Sequence, residues 1–68
     1  MDLVIARAKK RVTQWDLRRE TGIHQSRVSL IERGYVVPTQ KEKEMIANVL
    51  GFKVTEIEWP VIDTNIRK

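Results

Sequence analysis

Three glycines, at positions 22, 34 and 51, divide this chain into short segments and limit its fold more than any other feature. Glycine adopts the left-handed conformation at little steric cost, and helices commonly end just before such a residue. Each of the three glycines falls where a helix should end. The spacing therefore predicts a bundle of short helices, each ending at a glycine or at a turn.

Signals for helix starts complete this pattern. Thr39 and Glu42 fit a capping box, in which the hydroxyl and the carboxylate each bond to the other residue's backbone. Thr13 is a good N-cap, and Asp16, three residues on, favours the positive end of the helix dipole. We therefore predict an all-α fold of five helices, near residues 2–10, 14–21, 24–33, 40–50 and 54–58.

The length and composition exclude several classes of protein. A domain of 68 residues buries only about 60% of its unfolded-chain surface, which leaves little room for an enclosed substrate cavity. With no cysteine and one histidine, we expect no disulfide, metal site or cofactor, and we find no catalytic set for an enzyme. Without a signal peptide or an apolar run long enough to span a bilayer, we expect a cytoplasmic protein with no membrane partner.

Positive charge is concentrated in the first half of the chain. Between Arg7 and Arg33 there are eight basic and three acidic residues, whereas from Gly34 onward five basic residues match five acidic ones. Clustered lysines and arginines release counterions when they meet phosphates, so this half suggests a polyanionic partner. From charge alone, a solvated basic surface is an equally good interpretation.

The segment "HQSRVSLIER", residues 24–33, distinguishes these interpretations. At the helical period, Val28 and Ile31 share one side and Arg27 and Glu32 flank it. The opposite side carries Gln25, Ser26, Ser29, Leu30 and Arg33. Glutamine can bond to adenine, arginine to guanine, serine to either, and an apolar side chain can meet the thymine methyl group. This face therefore suits a DNA major groove.

Helix "QWDLRRET", turn "GI" and helix "HQSRVSLIER" have the order of a helix-turn-helix. With the blocks "TQWDL", "TGIHQSRVSLIERG", "PT" and "IANVLGF" in order, residues 4–58 resemble the Cro/cI-type helix-turn-helix family of phage-repressor-like regulators. The resemblance implies a compact five-helix, lambda-repressor-like domain over residues 1–59. Residues 60–68 then form a tail that serves as a dimerisation arm. The expected partner is double-stranded DNA, and the expected function is sequence-specific regulation of transcription, as a repressor.

The resemblance also implies a role for individual residues. Bases are read by the side chains on the outer face of the third helix, namely Gln25, Ser26, Ser29 and Leu30. Contacts to the DNA backbone fall to Gln14, Arg33 and Tyr35, and we expect Arg18, His24 and Arg27 to add to them. An ion pair between Arg7 and Glu32 ties the first helix to the third and fixes its angle.

Several positions depart from the family pattern. Arg18 stands where a small alanine is usual, so either the approach of the two motif helices is adjusted or the arginine leans toward solvent or phosphate. His24 replaces a serine cap, which predicts a looser start to the third helix. Arg11 takes a place that is often glycine, at a cost of about 1 kcal/mol if its backbone is left-handed. Trp15, next to Gln14, is expected to pack in the core or at its edge.

An apolar cluster near the end of the chain bears on assembly. Its members are Ile57, Trp59, Val61 and Ile62, together with Pro60. So large a cluster either folds back onto the domain or meets a second chain, and we favour the second outcome. A homodimer would bind an inverted-repeat operator. The alternative function is that of an antitoxin or other interaction module, which uses the same fold to bind a protein partner.

Overall fold

The computed structural model describes residues 1–61 of the chain, and the predicted interface residue Ile62 lies outside that range. Its helices are α1 (Leu3–Lys10), α2 (Gln14–Thr21), α3 (Gln25–Glu32) and α4 (Gln40–Leu50), followed by a single 3-10 turn, Val54–Glu56. The prediction of an all-α fold is confirmed, whereas the count of five α-helices is not.

The fifth predicted helix, 54–58, shortens to one turn for two reasons. Val54 and Thr55 are β-branched and favour helix weakly, and Pro60 restricts the residue before it to an extended backbone. Ile57 is already extended, with φ −107° and ψ 131°, and its side chain enters the core.

Local capping bonds fix the starts of α2 and α4. The Asp16 amide donates to Thr13 Oγ1 at 3.0 Å, and the Thr13 amide donates to Asp16 Oδ2 at 2.9 Å. The same reciprocal pair joins Glu42 and Thr39, at 3.0 and 2.9 Å. Both helices therefore begin at the predicted residues, because the signal lies within four positions of sequence.

The core takes side chains from all four α-helices, from the turn between α2 and α3 and from Ile57, whereas the 3-10 turn itself buries none. The buried apolar side chains are Leu3, Ala6, Leu17, Ile23, Val28, Ile31, Ile46, Ala47, Leu50 and Ile57. The backbones of α3 and α4 each pack closely on α2 rather than on one another. This arrangement makes α2 the central support and leaves one side of α3 facing outward.

The C-terminal segment returns to the start of the chain. The Glu58 amide donates to the Met1 carbonyl at 2.6 Å, and Asp2 and Glu58 form an isolated parallel bridge. Trp59 packs against the core, and its indole Nε1 donates to the Val54 carbonyl at 3.2 Å. Much of the apolar cluster predicted to form an interface is thus covered within the same chain.

The position of Ile57 corrects one prediction. Its side chain is only 3% exposed, so it is not available to a second chain, contrary to the interface role expected for it. Val61, by contrast, is 55% exposed. Among the described residues, no helix combines the length and the apolar character needed to cross a membrane.

Candidate nucleic-acid interface

Helices α2 and α3 form a helix-turn-helix whose turn is held from both sides. Gly22 ends α2 in the left-handed region, at φ 80°, and its amide donates to the Arg18 carbonyl at 2.8 Å. The next residue, Ile23, is buried in the core, and its amide donates to Thr21 Oγ1 at 3.1 Å. A glycine and a buried isoleucine therefore fix where α3 begins.

The helical period places the faces of α3 as the sequence suggested. Val28 and Ile31 are fully buried, whereas Ser26 is exposed and Ser29 and Leu30 are half-buried. Arg33, the exposed C-cap, lies on the same outward side. The helix thus uses two side chains as anchors and turns a mixed polar and apolar surface outward.

His24 caps α3, where a looser start was predicted. Its Nδ1 accepts a bond from the Ser26 amide at 3.1 Å, and Ser26 Oγ lies 2.8 Å from the same nitrogen. Both side chains are exposed. The cap therefore orders two of the predicted DNA-contacting side chains at the start of the helix.

Gln25 is half-buried, and its amide oxygen is fully buried. This oxygen has no hydrogen-bond partner among the described residues. A buried polar group without a partner costs roughly 1–3 kcal/mol. The resting position of Gln25 is therefore an unfavourable one for its amide.

A cluster around Glu32 joins three helices. Arg7 donates to both carboxylate oxygens of Glu32, with Nη2 3.2 Å from Oε1. Gln14 Nε2 donates to the same Oε1 at 2.8 Å, and the carboxylate side chain is only 5% exposed. Arg7 also donates from Nη1 to the Val12 carbonyl at 3.0 Å. The last residue of α3 is thus tied to α1 and to the start of α2, and one hydrogen of the Gln14 amide is already bonded.

Arg27 is placed differently from the prediction. Its guanidinium donates to Glu42 through two bonds, Nε to Oε2 at 2.7 Å and Nη2 to Oε1 at 3.0 Å. These two donors are directed at α4 and are not free for the expected phosphate contact, although the side chain is 40% exposed. The hydrogen bond from Arg27 is the main cause that lowers the pKa of Glu42 below its ordinary value, and the same bond raises the pKa of Arg27.

Glu42 is a residue that the sequence did not indicate as part of the site. Its capping box with Thr39 was visible, but its contact with Arg27 spans 15 positions and follows no local pattern. The only available signal was that Glu42 and Arg27 have opposite charges.

Two aromatic side chains lie beside arginines on the surface. The Arg18 guanidinium is 5.4 Å from the centre of the Trp15 ring, and the Arg33 guanidinium is 5.8 Å from that of Tyr35. Trp15 is 59% exposed, so of the two expected positions, in the core or at its edge, the core position is wrong. Arg18, Arg33 and Tyr35 are all exposed, as contacts to a DNA backbone require.

The comparisons with known proteins agree with this geometry. A family model described as helix-turn-helix matches residues 3–57, which include all four helices. The chain belongs to the Cro/cI-type helix-turn-helix family. Comparison with the curated proteins found no match, and comparison with the solved structures found none.

Membership in this family makes the chain a DNA-binding regulator of transcription at the level of class. The side chains of the described part contain no group of three or more histidines, cysteines, aspartates or glutamates placed to hold a metal ion. The surface of α3 and its surroundings carries hydrogen-bonding and charged groups.

Proposed function

We propose that this helix-turn-helix protein binds double-stranded DNA in a sequence-specific manner, reads the major groove with residues 24–33, and acts as a transcriptional repressor. The observation that carries the proposal is the outward face of α3. Val28 and Ile31 are its buried apolar side chains, and the outward side offers hydroxyl, guanidinium and apolar groups together with the half-buried Gln25. Repression needs only that the bound protein occupy a promoter.

Base reading falls to Gln25, Ser26, Ser29 and Leu30. Gln25 stands at the N-terminal end of α3, the end that enters the groove in this class of motif. Its unpaired amide oxygen favours a rotation outward, since adenine offers that oxygen a donor at N6 and offers the amide nitrogen an acceptor at N7. Leu30 supplies an apolar contact for a thymine methyl group.

Contacts to the sugar-phosphate backbone hold the protein in register and carry no sequence information. We assign them to Gln14, through its second amide hydrogen, and to Arg18, His24, Arg33 and Tyr35. Arg27 is left out of this set because two bonds already hold its guanidinium against the Glu42 carboxylate.

The proposal assigns base contacts and backbone contacts to different residues, and two variants test that assignment. A preferred duplex is first selected from a random library, and a scrambled duplex of equal length serves as reference. Gln25→Ala should weaken binding to the preferred duplex by about 1–3 kcal/mol and leave the scrambled duplex nearly unchanged. Arg18→Gln should weaken both duplexes by similar factors, because Arg18 contacts phosphate.

A salt titration adds an independent readout. The slope of log K against log salt should become shallower by about 0.9 for Arg18→Gln and should stay at the wild-type value for Gln25→Ala. If Gln25→Ala weakens both duplexes equally, α3 does not read bases, and its outward face is a solvated or a protein-binding surface.

A further inference from the structure

We propose that the Arg27–Glu42 ion pair sets the orientation of α3 in the groove, and through it the base specificity of the protein. The inference rests on the proposed function and adds a positioning role to two residues to which that proposal assigns no DNA contact. Its basis is the way in which the two flanks of α3 are tied to different helices.

The contacts of Glu32 and of Arg27 to other helices lie at opposite ends of α3 and on opposite flanks of it. Arg27 lies in the first turn and Glu32 is the last residue, about 7.5 Å further along the axis at 1.5 Å per residue. Around the helix, the anchors Val28 and Ile31 lie between them. Glu32 is held by Arg7 of α1 and Gln14 of α2, whereas Arg27 is held by α4. Rotation of α3 about its axis, in either direction, must therefore stretch one of these ties.

Glu42 is a fixed point of attachment. Its side chain is 15% exposed, and its Oε1 accepts the Thr39 amide at 2.9 Å as well as the Arg27 Nη2 at 3.0 Å. The capping box thus holds the carboxylate against the start of α4, and the two bonds from Arg27 fix both the distance and the plane of contact. Since the backbones of α3 and α4 each pack on α2, this pair is a direct link between them.

A small change in the orientation of α3 affects contacts to base edges more than contacts to phosphates. A roll of about 10° moves the tip of a side chain that lies roughly 5–6 Å from the helix axis by about 1 Å. Such a shift is large beside the range of about 2.7–3.2 Å that a good hydrogen bond to a base edge allows. Scrambled DNA is held through phosphates alone and does not depend on this alignment. Loss of the pair should therefore lower specificity while non-specific affinity is retained.

Three variants test the pair. Glu42→Gln removes the charge and keeps the capping box, which accepts glutamine at that position. Arg27→Met removes the donors and keeps an apolar stem, and the third variant combines both changes. Each of the three variants should lower the ratio of preferred to scrambled affinity by about fivefold. This is the lower end of the discrimination that one bidentate base contact supplies. The double variant should lose no more than either single one, because the two residues act as a unit.

The chain offers a matched control in α2. Asp16 is also the acid of a capping box and also accepts a bond from an arginine, Arg19 Nη2 at 2.9 Å, but both residues belong to one helix. Asp16→Asn should shift both affinities together and leave the ratio at the wild-type value. All affinities are measured well below the lowest melting temperature in the set, so that partial unfolding does not contribute.

The outcomes separate this inference from the proposed function. If the wild type prefers the selected duplex and Glu42→Gln and Arg27→Met keep the same ratio of preferred to scrambled affinity, the inference alone is overturned. Losses that add in the double variant, or an equal loss in Asp16→Asn, would also overturn it. A wild type that binds both duplexes equally would overturn the proposed function and the inference together.

Discussion

Arg11 ends α1 with a left-handed backbone, at φ 56° and ψ 41°, in a place where glycine would cost less. Its amide donates to the carbonyls of Ala8 and Arg7, so the end of α1 depends on this conformation. In the part of the chain that the structure describes, Arg11 is the one residue other than glycine with a positive φ. The position is therefore strained.

Relief of that strain should stabilise the protein. Arg11→Gly removes a left-handed penalty of about 1–2 kcal/mol and adds flexibility to the unfolded chain, for a net gain of about 0.5–1 kcal/mol. Urea unfolding at neutral pH measures the change. Arg11→Ala serves as the control, because it removes the charge but keeps a Cβ in the strained conformation. Equal gains in both variants would assign the effect to charge instead of backbone.

At this scale, the sequence predicted some contacts and missed others for a physical reason. The family pattern pointed to strain at Arg11 and placed Arg7 opposite Glu32, and the structure has a left-handed backbone and an ion pair there. No pattern paired Arg27 with Glu42, since their contact depends on the angle between two helices. His24 was expected to cap poorly, but one rotamer of its ring brings Nδ1 to the Ser26 amide.

At the scale of elements, the predictions were best where the signals were local. Helices α2 and α4 have the predicted bounds because each starts in a capping box and ends at a left-handed glycine. Helix 24–33 is one residue shorter at each end, as His24 and Arg33 are its caps. For the fifth element, Val54 and Thr55 were a local signal against a longer helix, but the entry of Ile57 into the core is a matter of packing.

The link between α3 and α4 should depend on pH. Arg27 lowers the pKa of Glu42 in the folded state, so folding favours the charged carboxylate. This contribution to stability is present above the ordinary pKa of 4.5 and is lost as the pH falls through the lower folded value. Asp16, whose pKa is lowered first by the Thr13 backbone and then by its hydroxyl, acts in the same direction.

The free energy of unfolding of the wild type should therefore fall as the pH drops below about 4.5. Glu42→Gln should be less stable than wild type at neutral pH and should lose less on acidification, because one of the two contributing carboxylates is gone. Urea titrations at several pH values between neutral and acid measure both slopes. Identical slopes in the two proteins would show that Glu42 does not gain from Arg27.

For the whole molecule, the amount of DNA that one copy can read is small. Helix α3 has eight residues, and its outward face presents a few side chains to the bases. One such helix contacts only a few base pairs, whereas two copies related by a two-fold axis read twice as many. Part of the apolar cluster near the end of the chain is already covered, since Trp59 packs against its own core. The sequence favoured an interface with a second chain for Trp59 as well, because composition does not tell on which surface an apolar side chain lies.

We propose that two copies bind an inverted repeat whose half-site centres lie roughly 10 base pairs apart, about one turn of DNA. Val61 is the residue to change, because it is exposed and its substitution leaves the core intact. Val61→Lys should reduce the dimer population in analytical ultracentrifugation and weaken binding to the full site more than to a half-site. One copy per full site, for wild type as well as variant, would contradict the proposal.

The shallow anchoring of α3 has a consequence for how this protein could diverge. Only Val28 and Ile31 enter the core from this helix, so positions 26, 29, 30 and 33 can change with little effect on folding. Duplicated copies of the gene could therefore drift to separate operators while they keep the same scaffold. A library randomised at those four positions should yield mostly folded proteins, among which regulators that do not cross-react can be selected.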